Sequence, residues 1–95
     1  MTDEYLKMKL LSHSQNMLIA AKSEEWSNLV ALDYSWKIML DEAIEKHRSV
    51  VENIAKELME NNDEIQLILA KAQKNLMQDS TENKHAHKAI KQYLK

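Results

Sequence analysis

Four histidines and several adjacent acid pairs are the residues of this chain with the most chemistry to offer. Histidine can ligate a metal or move a proton, and paired carboxylates can divide acid and base work. Each use demands a spacing. His85 and His87 stand two apart, whereas helical zinc motifs place their ligands three or four apart on one face. Three residues before His13 and His47 stand Leu10 and Ile44, so neither histidine completes the Glu-x-x-His pattern of bundle di-metal sites. The neighbours in Glu24-Glu25, Asp41-Glu42 and Asp63-Glu64 diverge by about 100° on a helix and do not face one pocket. They read as partners of helix starts or as solvated surface. Cys is absent, which excludes thiolate catalysis, disulfides and Cys-ligated zinc. Gly is absent too, which removes Gly-rich phosphate loops. No set of nucleophile, base and orienting group can be assembled, so we expect no enzyme, no metal and no cofactor.

Side chains of this kind must therefore act by contact, and the elements that carry them are helices. Gly 0 and Pro 0 argue against hairpins and tight turns, which depend on both residues. Helix interiors need neither. The 95 residues amount to one domain. With 44% hydrophobic and 29% charged residues, the chain is too apolar to stay disordered. No apolar run approaches the roughly 18 residues of a membrane span. Met1-Thr2-Asp3-Glu4 lacks the basic start of a signal peptide, so the cytoplasm is the expected location. The net charge of −2 offers no general field for nucleic acid. It is uneven: residues 71–95 hold six Lys against Asp79 and Glu82, and the first 47 residues hold five Lys against eight acids.

The apolar spacing predicts an all-α fold, an antiparallel bundle of three main helices, the third long, plus a short C-terminal helix. Helix one is expected over about 3–21, capped by Thr2 or Asp3, with Leu6, Leu10, Met17 and Ala21 on one face and Leu11 and Leu18 beside it. Lys22-Ser23 reads as a break, with Ser23 as the N-cap of a second helix over about 24–46. That helix buries Trp26, Leu29, Leu32, Trp36, Leu40, Ala43 and Ile44. Both tryptophans are expected in the core, and Asp33 at its edge, reaching water or a Lys. Ser49-Val50-Val51-Glu52 resembles a capping box and opens a third helix over about 50–79. Val51, Leu58, Ile65 and Ala72 repeat every seven residues there, and the phase runs unbroken through Asn61-Asn62-Asp63. The last helix is expected over about 82–94.

At about 1.5 Å per residue, the third helix outreaches the first two by about 15 Å. The overhang would bare part of Ile65, Ile68, Leu69, Ala72, Leu76 and Met77. Stripes of that kind are normally covered by another element, a second copy or a partner.

The stretch Ser12-His13-Ser14-Gln15-Asn16-Met17-Leu18-Ile19-Ala20-Ala21, then Glu24-Glu25-Trp26-Ser27-Asn28-Leu29-Val30-Ala31-Leu32, resembles the flagellar FliT family of export chaperones. Ile54-x-x-x-Leu58-x-x-Asn61-x-x-Glu64-Ile65-x-x-Ile68 and the closing Lys88-Ala89-Ile90-Lys91-Gln92-Tyr93 agree with that pattern. Trp36 and the short link at Lys46–Ser49 depart from it. The resemblance implies a flagellar type III export chaperone. Such a protein binds the C-terminal helical region of the filament-cap protein, prevents its premature assembly and delivers it to the export apparatus. The client groove is then expected along Leu10, Met17 and Leu18 of the first helix and Ile65, Ile68, Leu69, Ala72 and Leu76 of the third. Ile90, Tyr93 and Leu94 would form a C-terminal lid. The alternative is a structural or regulatory homodimer that buries the same stripe against itself.

Overall fold

The computed structural model describes residues 2–78, with side chains placed from Thr2 to Lys74. It is all-α: α1 spans Asp3–Lys22 and α2 spans Trp26–Gln78. Two helical elements are described where three main helices are expected, because the second and third run on as the two arms of α2, joined through a single non-helical residue, His47. His47 (φ −141°, ψ 48°) leaves helical geometry alone, while its neighbours on both sides stay helical. Ser49 therefore lies in the first turn of the second arm, two residues past the non-helical His47, and not at the arm's N-cap. A straight helix of 53 residues would run about 80 Å at about 1.5 Å per residue. The molecule measures only 48 × 19 × 19 Å, so α2 doubles back at His47. Its arms, 26–46 and 48–78, lie antiparallel, with α1 against both. The helix is unbroken through Asn61-Asn62-Asp63, as the heptad phase predicts. The helix expected over 82–94 lies outside the described residues.

Thr2 caps α1 as expected, its Oγ1 accepting from the Tyr5 backbone N–H at 3.2 Å. The connection to α2 differs from expectation. Ser23 is the C-cap of α1 and not the N-cap of the next helix. The Glu25 N–H bonds the Ala20 carbonyl at 2.9 Å and the Glu24 N–H bonds the Ala21 carbonyl at 3.1 Å. That pairing is a Schellman motif, and it needs a left-handed residue at Glu24, which adopts φ 59°. Gly would take that place in most chains. Here a Glu fills it, because a Schellman ending reverses the chain in few residues and brings Trp26 back onto Ala21.

The core divides into two clusters. Near the α1–α2 turn, Met17, Ala20, Ala21, Trp26, Leu29, Ile65 and Leu69 are buried together. Toward the His47 bend, Leu6, Leu10, Ala43, Val50, Ile54 and Leu58 are buried together. Trp36 packs against both. Burying a side chain of the size of Leu10 or Leu29 contributes about 1.5–3 kcal/mol. Polar contacts lie between the clusters. Asn61 Nδ2 donates to Ser14 Oγ at 3.0 Å. His13 Nε2 donates to the Leu32 carbonyl at 2.8 Å. Among the described residues, no buried side-chain nitrogen or oxygen lacks a partner. No helix there is long and apolar enough to cross a membrane.

Candidate functional site

The bend at His47 sets two helical arms side by side, and α1 covers one of the two seams between them. The other seam is open. It forms a cleft of about 420 Å³ lined by Trp36, Leu40 and Ile44 from one arm. Val51, Ala55, Leu58, Met59, Asn62 and Asp63 line it from the other. The helical repeat explains this sorting. Val50, Ile54 and Asn61 point to α1, Val51, Ala55 and Asn62, each one position on, point to the cleft, and Leu58, one turn from Ile54, is shared between core and cleft. Along arm 48–78 the lined stretch, Val51 to Asp63, is about 18 Å at about 1.5 Å per residue, or just over three turns.

The walls are held in place from behind. The His13 ring stacks on Trp36 with centroids 5.6 Å apart and planes at 16°. Because a carbonyl only accepts, the ring proton of His13 sits on Nε2, toward Leu32. The imidazole thus braces the indole that forms one end of the cleft. Met59 is 65% exposed, an apolar and adaptable side chain on the opposite lip. Asp33, 15% exposed, pairs with Lys37 at 3.2 Å, as expected of an edge residue. Among the described residues no group of three His, Cys, Asp or Glu side chains could hold a metal ion.

The residues expected to line a client groove are not brought together on one open surface. Leu10, Met17, Ile65 and Leu69 are buried in the chain's own core, Leu10 and Leu69 at 0% exposure, and line no open surface. Leu18 is half-buried and packs on the first cluster. Ile68 and Ala72 line a separate cleft of about 290 Å³ beside Ala21, Lys22, Glu24, Trp26 and Lys71. The side chain of Leu76, together with Ile90, Tyr93 and Leu94, lies outside the described residues. An overhang of the long helix would leave the open stripe at its far end. There, α1 and arm 26–46 close over Ile65 and Leu69 instead. Sequence reasoning missed Ala55, Met59 and Asn62 as lining residues, and His13 as the brace. Trp26 is buried as expected, whereas Trp36 is divided between core and cleft.

No family model matches this chain, and no curated protein and no solved structure matches it either.

Proposed function

We propose that this protein is a helix-binding chaperone that takes an amphipathic helix of its client into the cleft between the arms of α2. The observation that carries the reading is the cleft itself. Its apolar walls, about three turns long, match the i, i+3/i+4, i+7 anchors of one helix. A docked helix would complete a four-rod arrangement with α1 and the two arms, covering the open seam. The client we propose is the C-terminal helical region of the flagellar filament-cap protein, the partner that the FliT-like sequence pattern implies. Binding in the cytoplasm would cover the client's assembly surface until it reaches the export apparatus. Enzyme chemistry has no part in this reading.

The absence of Cys permits a clean test. Met59→Cys, carrying a benzophenone, should crosslink to the cap protein when the two are mixed. The same label at Ile19, an exposed residue of α1, should not. Equal crosslinking from both positions, or none from Met59, contradicts the reading.

A further inference from the structure

The bend at His47 is short. Two helices that fold back on each other are normally joined by about two to five residues. In α2 only His47 leaves helical φ/ψ. No residue there breaks a helix by its type, since the chain has neither Gly nor Pro. His47 is exposed and makes no side-chain hydrogen bond among the described residues. The packing of the arms holds the bend, and the hinge residue does not.

The apolar face also runs through the bend in phase. Trp36, Leu40 and Ala43 lead to Val50, Ile54 and Leu58 in steps of three or four, with His47 filling the step between Ala43 and Val50. All six apolar residues belong to the cluster at the bend. A hairpin needs no such agreement, because each arm turns its own apolar face inward whatever the phase of the other. A straight helix needs it, since one unbroken stripe must lie on one side.

We infer that α2 has a second arrangement, in which it straightens at His47 and two copies of the chain exchange their 48–78 arms. Two antiparallel rods then face each other stripe to stripe. In each half, α1 and arm 26–46 of one copy close over arm 48–78 of the other. The core contacts are those of the hairpin, and only the hinge changes. There the backbone groups that a helix end leaves without helical partners regain them. Each cleft takes Trp36, Leu40 and Ile44 from one copy and Val51, Ala55 and Met59 from the other, so two chains build two clefts. At about 1.5 Å per residue the exchanged dimer is roughly 90 Å long, against 48 Å for the hairpin. The inference does not depend on which client occupies the cleft.

The test uses the full chain, whose lack of Cys allows a pair of spin labels at Tyr34→Cys/Glu60→Cys. Both positions are exposed and lie equally far from His47 on either side. Doubly labelled chain is refolded at high concentration with an excess of unlabelled chain, and monomer and dimer are separated by gel filtration. Across the hairpin the labels stand roughly 10–20 Å apart. Along a straight α2 they stand about 39 Å apart. The monomer should give the short distance and the dimer the long one. His47→Leu, which completes the stripe, should raise the dimer association constant at least about tenfold. Insertion of Gly-Gly after His47 should lower it, because a longer hinge makes the reversal easier and breaks the straight helix. Circular dichroism should find both variants as helical as the wild type. A dimer that gives only the short distance overturns the inference. So does the lack of any dimer of wild type and of His47→Leu at about 1 mM, or an insertion that leaves association unchanged. None of these results bears on helix binding, which the Met59 crosslink reads separately.

Discussion

Asn61 reaches across from the long arm of α2 to donate its Nδ2–H to Ser14 Oγ at 3.0 Å, and Ser14 is itself buried. The bond ties two helices at the level where one apolar cluster gives way to the other. A polar pair in such a position fixes register, since sliding α1 by one turn would bury both groups without partners.

Removing one member should therefore cost more than removing both. Asn61→Ala leaves the Ser14 hydroxyl buried and unpaired and should lower stability by about 1–3 kcal/mol. The double variant Ser14→Ala/Asn61→Leu should recover most of that loss. Urea unfolding of the wild type, Ser14→Ala, Asn61→Leu and the double variant gives the coupling directly. Additive losses would show that the bond contributes nothing specific.

The His13 brace makes two contacts that can be separated. His13→Phe keeps the ring against Trp36 and loses the bond to the Leu32 carbonyl. His13→Ala loses both. We expect a cost of about 1 kcal/mol for the first and about 2 kcal/mol for the second. Trp36 should also become more mobile only in the Ala variant, read as a fall in its fluorescence anisotropy. Equal anisotropy in both variants would contradict the bracing role.

Glu24 holds a left-handed conformation at φ 59°, which costs a residue with a Cβ about 1–2 kcal/mol. Glu24→Gly should raise stability by about 1 kcal/mol, and Glu24→Val should lower it, since β-branching opposes positive φ. Thermal unfolding checks both signs. A destabilising Gly would mean that the Schellman turn is not what closes α1.

Leu69 and Met59 are both apolar residues of the same arm, ten positions apart, but they do different work. Leu69→Ala should cost about 2–5 kcal/mol, as for a fully buried side chain. Met59→Ala should change stability by less than about 0.5 kcal/mol while weakening the client. Chemical denaturation beside a binding assay separates the two roles. A large loss of stability from Met59→Ala would place it in the core.

Much of this architecture is legible before any coordinates. The Thr2 cap, the buried face of Leu6, Leu10, Met17 and Ala21, and the continuity through Asn61-Asn62 all follow from residue type and spacing. What spacing does not give is rotation. Val50 and Val51 are equally apolar, yet one is buried and the other lines the cleft, and about 100° of helix decides which. That is why the expected groove settled on Ile65 and Leu69, which the core takes up, and passed over Ala55 and Met59. Ser23 was misplaced for a related reason. Its type suits a helix start, but in a chain without Gly nothing in the sequence marks Glu24 as the left-handed residue that makes Ser23 a helix end. His13 is one polar residue among several on α1, and only the fold brings Leu32 and Trp36 to it.

The central claim is that the seam between the arms of α2, and not the end of the bundle, receives a client helix. Calorimetry of a peptide from the C-terminal helical region of the filament-cap protein, titrated into the wild type, Met59→Asp and Ile68→Asp, tests it most directly. The account predicts one-to-one binding that Met59→Asp abolishes and Ile68→Asp leaves within about threefold of wild type, with all three proteins equally helical. Binding lost only in Ile68→Asp, or untouched by Met59→Asp, would contradict it.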